Sequence, residues 1–214
     1  MAKKPRILPI HPEKPEESLI DRAGETIKNG GTVVFPAQYL YGIAGDAFQK
    51  EPVERIFQIK KRSYQKPLLL LIKTYSQLES LVTCIPRQAE KLMSRFWPGN
   101  VTLVFSASDR VPDRITAGTG KIGIRMPLHP VARALVERLD TPITGTSANI
   151  SGTPGCGRVD RIDPVFLEKT DLVLNAGELK PGRGSTLVDI TTTPARVIRQ
   201  GEIPAEEIFR AISA

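Results

Sequence analysis

Short apolar runs alternate with amphipathic helical stretches along the chain, and this alternation restricts the fold more than any other feature of the sequence. Strands are predicted at the short apolar runs 32–35, 67–72, 101–105, 122–126, 142–146, 172–175, 186–190 and 196–199. Helices are predicted where apolar residues recur every three or four positions, at 16–28, 52–61, 86–96, 130–139, 163–169 and 205–212. A capping box formed by Ser76 and Glu79 predicts one shorter helix. This alternation is typical of an α/β domain with a mixed sheet.

The length and the loop composition favour one domain. A chain of 214 residues, 40% hydrophobic and 25% charged, is long enough to bury a substantial core. The Gly- and Pro-rich pieces at 151–158 and 177–185 fall between predicted elements rather than at a domain boundary. We therefore expect a single domain over 1–214, with a short N-terminal extension at about 1–14.

Charge and cysteine content indicate the cellular setting and the kind of partner. No apolar run reaches the ~18 residues of a membrane span, and the N-terminus lacks the apolar core of a secretory signal. Cys84 and Cys156 are far apart in sequence, which argues against a structural disulfide or zinc site and fits the cytoplasm. The net charge of +7 indicates either an anionic partner, such as a nucleotide, a nucleic acid or an acidic surface, or only a soluble surface.

A glycine-punctuated turn follows the first predicted strand. In VVFPAQYLYGIAGDAF (33–48), the apolar run stops at Pro36, and the segment beyond it contains Gly42 and Gly45. Turns of this kind receive ligands because missing side chains let an anion approach backbone N–H groups. The pattern is neither a dinucleotide fingerprint nor a P-loop, so the turn alone does not identify a ligand.

Four further stretches carry candidate binding residues, and each also has a purely structural interpretation. KKRSYQK (60–66) is a cation cluster or a solvated helix end. GTSANISG (145–152) is a ligand-binding strand end or an ordinary turn. Arg125, inside the apolar strand GKIGIRMP (120–127), needs a partner, which is either a structural carboxylate or an anionic ligand. GELKPGRGSTLVDI (177–190) is a binding loop or a hairpin joining edge strands.

Taken together, these stretches resemble the YrdC-like family, whose members include threonylcarbamoyl-adenylate synthases. The matching motifs are Pro36 with Tyr41-Gly42-Ile43, Lys60 and Arg62 with Lys66-Pro67-Leu68, RFWPGNVTLV (95–104), IGIRMPLHP (122–130), Ser147 and Asn149, GSTLVDI (184–190) and IRQGEIP (198–204). The resemblance covers nearly the whole chain and implies a twisted mixed sheet with flanking helices and a basic concave cavity. It also implies the short form of the family, without an additional C-terminal domain.

The resemblance implies an enzyme that makes threonylcarbamoyl-AMP and pyrophosphate from L-threonine, bicarbonate and ATP, with Mg²⁺ between the phosphates. The product then serves the proteins that form t6A37 in tRNA. The implied catalytic set is Lys60, Arg62, Ser147 and Asn149. The implied ATP-binding set is Arg62, Lys66, Lys121, Ser147, Gly155 and Arg199. The implied threonine-binding set is Tyr39, Arg125, Gly145 and Ser185, and no residue is assigned to a metal.

The chain departs from the family pattern in the turn after Pro36. The family has P-T-[DE]-T-x-Y-G at this place, whereas this sequence has Ala37, Gln38 and Tyr39 where the family has Thr, Asp or Glu, and Thr. A phenol at position 39 is larger than the hydroxyl that the family places near the bound threonine. Two alternatives therefore stay open: a divergent ATP-binding paralogue with another substrate, and a protein that binds double-stranded RNA or tRNA without synthase activity.

Overall fold

The computed structural model describes residues 6–213, and its strands form two hydrogen-bonded sheets. The strands are β1 Arg6–Pro9, β2 Val33–Pro36, β3 Tyr41–Ala44, β4 Leu70–Leu71, β5 Val101–Ser106, β6 Lys121–Arg125, β7 Ile143–Thr144, β8 Thr146–Ser147, β9 Leu172–Asn175, β10 Thr186–Asp189 and β11 Arg196–Arg199. One sheet has the order β1-β9-β2-β3-β8 and the other has β11-β10-β5-β6-β4-β7. Both combine parallel and antiparallel pairs. The predicted α/β class is therefore confirmed, with two mixed sheets where the sequence analysis expected one.

Helices pack against both sheets. They are α1 Glu17–Lys28, α2 Lys50–Lys60, α3 Tyr75–Leu81, α4 Arg87–Phe96, α5 Asp113–Thr116, α6 Pro130–Glu137, α7 Pro164–Glu168 and α8 Ala205–Ser213. Helices α1 and α6 lie on the five-stranded sheet and α5 on the six-stranded one. The apolar periodicity explains their orientation: α1, for example, buries Ile20, Ala23 and Ile27 against the core. None of the helices within residues 6–213 is long and apolar enough to cross a membrane.

Three local features of the structure were not predicted from the sequence. The short helix α3 is capped by Thr74, whose hydroxyl accepts a hydrogen bond from the backbone N–H of Gln77 at 3.2 Å, and not by the predicted box at Ser76 and Glu79. The segment expected to be an N-terminal extension contributes β1, which pairs in parallel with β9. Helix α5 was not predicted at all, because four residues are too few to show a periodic pattern.

The glycine-punctuated turn is a β-hairpin. Strands β2 and β3 pair antiparallel with Pro36 opposite Tyr41, which leaves 37–40 as the connecting turn. The backbone N–H of Ala37 donates to the carbonyl of Leu40 at 3.0 Å and closes it. Gly42 leaves room for close packing in β3, since a Cβ there would lie only 3.3 Å from the Phe35 ring and from the carbonyl oxygen of Thr146.

The predicted strand 142–146 divides at Gly145, and this division brings the two sheets together. Strand β7 pairs with β4 in the six-stranded sheet, whereas β8 pairs with β3 in the five-stranded sheet. A Cβ at Gly145 would lie 2.7 Å from the Leu71 side chain, so only glycine lets the chain pass from one sheet to the other here. The space between the sheets on this side is the cavity described next.

Candidate functional site

A cavity of about 940 Å³ lies between the two sheets. Its walls come from strands of both sheets and from the turns at 37–40, 65–69 and 183–185 and the loop after β8. The cationic side chains that line it are Lys60, Arg62, Lys66, Lys121, Arg125, Arg183 and Arg199, and Asp189 is the only acidic one among the described residues. Such an excess of positive charge in a concave surface attracts polyanions.

Lys60 is buried at the end of α2 and joins that helix to the loop after β8. Its side-chain nitrogen donates to the backbone carbonyls of Ser147 and, at 2.9 Å, of Asn149. The backbone N–H of Ser151 returns a hydrogen bond to the Lys60 carbonyl at 2.7 Å. Burial of Lys60, with a smaller contribution from the charge of Arg62, lowers the pKa of this amine to about 7. Lys60 thus fixes the positions of Ser147 and Asn149, the two residues of this loop that were predicted to be catalytic.

Arg62 is held by the turn that follows α2. Its Nη2 donates to the carbonyl of Pro67 at 2.7 Å and its Nε to the carbonyl of Lys66 at 3.2 Å. Burial lowers the pKa of the guanidinium from its ordinary value. Lys66 lines the same part of the cavity. The cluster 60–66 is therefore part of the cavity wall, and the interpretation as a solvated helix end applies only to its exposed members, such as Lys61.

Two further predicted cations, Lys121 of β6 and Arg199 of β11, also line the cavity. The amine of Lys121 is 3.0 Å from a carboxylate oxygen of Asp189. Nη2 of Arg199 donates to the carbonyl of Ser185 at 2.9 Å, and the Ser185 hydroxyl lies 2.8 Å from that of Thr102. These contacts fix the cations while leaving them on the cavity surface.

Arg125 differs from these cations because the residues that the structure describes supply no hydrogen-bond partner for its Nε. Its side chain is 8% exposed, and its Nε is buried without a hydrogen-bond partner within residues 6–213. Burial, followed by the charge of Arg199, lowers its pKa to about 10. The structural salt bridge considered from the sequence is absent from the described residues. A buried guanidinium without a carboxylate partner is unfavourable. An anionic ligand is the remaining partner.

Unpartnered polar atoms are concentrated in this cavity. Within the described part of the chain, the buried side-chain atoms without a hydrogen-bond partner are Gln38 Oε1, Arg125 Nε, Asn149 Oδ1 and Ser151 Oγ. All four residues line the cavity. Buried polar atoms are normally hydrogen-bonded, and four exceptions in one concave site are the pattern expected where a polar ligand binds.

Tyr39 contacts the glycine-rich loop. Its ring lies directly against Gly182, where any side chain would collide with it. Its hydroxyl accepts a hydrogen bond from the Asn100 amide at 3.3 Å. Burial, followed by the negative charge of Glu202, raises the pKa of the phenol. The ring lines the cavity and connects the turn 37–40 to the loop 177–185.

The two predicted glycines have different positions. Gly145 lines the cavity where the sheets meet, but Gly155 is not among the lining residues. A Cβ at Gly155 would lie 2.9 Å from the Leu40 side chain and 3.4 Å from Ser147 Cβ. Gly155 therefore packs against the hairpin turn and β8 from outside the cavity.

Several lining residues were not predicted as site residues, notably Gln38, Ser151, Arg183 and Asp189. Ser151, Arg183 and Asp189 belong to stretches that the sequence had singled out, whereas Gln38 was noted only as a departure from the family pattern. No group of three or more His, Cys, Asp or Glu side chains that could hold a metal ion is present among residues 6–213. The arrangement can therefore bind a polyphosphate along its cations and a carboxylate at Arg125, and it offers no obvious general base.

Comparison with known proteins places these features in context. The Sua5–YciO–YrdC family model, described as "Telomere recombination", matches residues 25–201. The threonylcarbamoyl-AMP synthase of Pyrococcus abyssi is 39% identical over 94% of this chain, which spans 59% of that relative's length. A putative threonylcarbamoyl-AMP synthase of Methanocaldococcus jannaschii is 32% identical over 98% of this chain and its own full length. The crystal structure of P. abyssi Sua5 complexed with L-threonine superposes with a TM-score of 0.91 at 38% identity, over 96% of this chain and 60% of that one.

Proposed function

Because this chain belongs to the Sua5–YciO–YrdC family, we propose that it is an L-threonylcarbamoyladenylate synthase. The reaction takes L-threonine, bicarbonate and ATP to threonylcarbamoyl-AMP, pyrophosphate and water. The observation that carries the proposal is the cavity itself, in which cations surround a buried arginine that has no partner within residues 6–213. The product is the reactive precursor of t6A37, so its consumers are the tRNA-modifying proteins that transfer the threonylcarbamoyl group.

The nucleotide lies along the cations that the chain holds in place. Arg62, Lys66, Lys121 and Arg199 neutralise the phosphate oxygens, and the Ser147 hydroxyl donates a hydrogen bond to one of them. Because Arg62, Lys121 and Arg199 are already fixed by their own contacts, these three side chains stabilise charge without reorganising during the reaction. Lys60 acts by positioning Ser147 and Asn149. Gly155 supports the same loop from behind.

The amino acid lies at the Arg125 end of the cavity. Its carboxylate receives two parallel hydrogen bonds from the guanidinium, and Ser185, Gly145 and Tyr39 surround it. The carbamate oxygen formed from the amino group and bicarbonate then attacks the α-phosphorus of ATP, and pyrophosphate leaves. Placing both reactants in one cavity supplies most of the rate acceleration, because phosphoryl transfer depends mainly on orientation and charge neutralisation.

Mg²⁺ was expected between the phosphates, but the described residues do not form a site of their own for it. Asp189 is the only carboxylate among the lining residues that the structure describes, and it is paired with Lys121. Mg²⁺ prefers carboxylates, phosphates and water. A divalent ion would therefore enter on the nucleotide, with its coordination completed by phosphate oxygens and water.

Pyrophosphate release tests the proposal directly. The protein is incubated with ATP, bicarbonate and one amino acid at a time, and pyrophosphate is measured with bicarbonate-free and amino-acid-free controls. Release that requires both L-threonine and bicarbonate is expected. Release only with another amino acid indicates the divergent paralogue, which the altered turn at 37–39 motivates. No release with any amino acid from a folded, ATP-binding protein contradicts the proposal.

The same basic cavity supports a second candidate, the binding of double-stranded RNA through its phosphates. Such binding would weaken steeply with rising salt and show little sequence preference. It would also compete with saturating ATP if both used these cations. Tight RNA binding that is indifferent to both salt and ATP excludes the cavity as the RNA site.

A further inference from the structure

The turn 61–66, which follows α2, carries two of the cations that are proposed to bind ATP and makes few hydrogen bonds to the rest of the chain. Within residues 6–213, the hydrogen bonds of residues 63–67 are made to one another and to Arg62. The Arg62 side chain donates to the carbonyls of Lys66 and Pro67. The Arg62 guanidinium therefore moves with the turn, and a contact from another element is needed to fix both.

Tyr64 makes that contact. Arg62 and Lys66 line the large cavity, whereas Tyr64 lines a second cavity of about 570 Å³. The centroid of the Tyr64 ring lies 5.0 Å from that of Phe57 on α2. The guanidinium carbon of Arg114 on α5 lies 4.2 Å from the centroid of the Tyr64 ring, within the range of a cation–π contact. The turn thus presents its cations to the large cavity and its tyrosine to α5.

Arg114 is itself held from both ends of the turn. Its Nε is 2.6 Å from Oε1 of Glu54 on α2, the helix before the turn. Its neighbour in α5, the buried Ile115, accepts a hydrogen bond from the backbone N–H of Leu68, just after the turn, at 2.9 Å. Helix α5 therefore contacts the chain on either side of the turn, and the Arg114 guanidinium covers the tyrosine between these two contacts.

The Arg114 guanidinium acts on the nucleotide only through the turn. Arg114 is not among the residues that line the large cavity, and its side chain is 44% exposed. A surface ion pair such as the one with Glu54 contributes little stability by itself. Its stacking on Tyr64, however, immobilises the segment that carries Arg62 and Lys66, and a binding segment that is already ordered loses less conformational entropy when its ligand arrives.

We propose that Arg114 and Tyr64 are positioning residues for ATP: the stacked pair, anchored to Glu54, holds the turn 61–66 so that Arg62 and Lys66 are in place before the phosphates bind. This inference rests on the proposed function, because it takes the cations of the turn as the ATP-binding ones. It extends the site to a cluster outside the large cavity.

Three variants test the stacked pair by calorimetric titration with ATP. Tyr64→Leu removes the ring without changing any charge and is expected to raise the Kd of ATP about fivefold, the effect of a cation–π contact of about 1 kcal/mol. Arg114→Met breaks the same contact together with the pair to Glu54, and a similar increase is expected. Tyr64→Phe keeps a ring under the guanidinium and is expected to bind ATP like the parent.

The double variant shows whether Arg114 acts through Tyr64. Because each single change breaks the same contact, Tyr64→Leu with Arg114→Met should bind ATP no more weakly than the weaker single variant. A direct effect of the Arg114 charge on ATP would instead add to the effect of Tyr64→Leu. Full additivity in the double variant therefore overturns the inference.

Two matched controls and two kinetic constants separate positioning from a loss of folding. Tyr75→Leu changes a tyrosine that is 46% exposed, against 45% for Tyr64, and Arg110→Met changes an exposed arginine before α5. Neither residue takes part in a cation–π contact within residues 6–213, and both variants should match the parent. Tyr64→Leu should raise the KM for ATP and leave kcat and L-threonine affinity unchanged, whereas partial unfolding would lower the apparent kcat and leave KM unchanged.

The inference is overturned if Tyr64→Leu keeps the Kd of ATP within twofold of the parent's, or if Tyr64→Phe loses as much affinity as Tyr64→Leu. A folded parent that does not bind ATP overturns both the inference and the proposed function. A parent that binds ATP but releases no pyrophosphate with any amino acid removes the proposed function alone, and the ATP affinities of the variants still decide the inference.

Discussion

Lys60 and Arg125 are both buried cations in the wall of one cavity, but they differ in whether protein groups accept hydrogen bonds from their side chains. Lys60 is 2% exposed and donates to the backbone carbonyls of Ser147 and Asn149. Arg125 is 8% exposed and has an Nε without a partner in the described part of the chain. A buried cation whose donors are used by the protein positions its neighbours, whereas one whose donors are unused is available to a ligand.

The largest expected effect comes from removing Arg125. Arg125→Met should weaken L-threonine binding at least about thirtyfold, since removing one member of a buried charge pair costs about 2–5 kcal/mol. The fold should not lose stability, because no group within residues 6–213 loses a hydrogen bond from this guanidinium. Calorimetric titration and urea unfolding measure the two effects. Arg22→Met, at an exposed arginine of α1, is the control, and a destabilised Arg125→Met protein would assign the guanidinium a structural role.

Arg62 is expected to have the next largest effect, and on the nucleotide rather than the amino acid. Arg62→Ala should weaken ATP binding by about 1.5–3 kcal/mol, the range for a hydrogen bond to a charged group. L-threonine affinity measured without ATP should stay the same, because Arg62 is held at the end of α2 by Lys66 and Pro67. Unchanged ATP affinity in a folded variant would return the cluster 60–66 to the interpretation as a solvated surface.

Lys60 is expected to make the free energy of unfolding depend on pH. Its pKa is lowered to about 7 in the folded protein from an ordinary value of 10.5, so the unfolded chain binds more protons between these values. Stability contributed through Lys60 therefore rises with pH across this window, by at most about 1.4 kcal/mol per pH unit, and does not change below it. Lys60→Met should remove that slope and, at pH 9, lower the free energy of unfolding by about 1–3 kcal/mol through the unpaired carbonyls. Parallel stability curves for parent and variant from pH 7 to 10 would contradict this assignment.

The smallest effect is expected at the contact between Tyr39 and Asn100. Tyr39→Phe and Asn100→Ala should each lower the free energy of unfolding by about 0.5–1.5 kcal/mol. The double variant should cost less than the two together, because both remove the same 3.3 Å hydrogen bond. Strictly additive values would show that Tyr39 does not depend on Asn100 for its position over the glycine-rich loop.

The sequence predicted the elements better than the contacts between them. Most helices and strands follow from apolar periodicity, but β3 was not distinguished from a turn, because Gly42 and Gly45 conceal its pairing with β2. The strand 142–146 was predicted as one unit, since nothing local shows that Gly145 passes between two sheets.

The candidate site follows the same pattern. An arginine inside an apolar strand predicts that Arg125 needs a partner. Whether that partner is a carboxylate of the chain depends on which strands surround β6, and these come from distant parts of the sequence. Lys60 was grouped with Arg62 by proximity in sequence, yet its hydrogen-bond partners lie 87 and 89 residues away. The sequence shows which residue is charged, but the partners of a buried charge come from distant parts of the chain and are seen only in the folded structure.

The central claim is that the unpartnered Arg125 receives the substrate carboxylate. Titration of the parent and of Arg125→Met with L-threonine and with L-threoninamide, which differs only in lacking the carboxylate charge, tests it most directly. The parent is expected to prefer L-threonine about a hundredfold, consistent with a buried charge-assisted pair of about 2–5 kcal/mol, and the variant should bind the two compounds equally. A preference for L-threonine that persists in Arg125→Met would place the carboxylate elsewhere in the cavity and contradict the account.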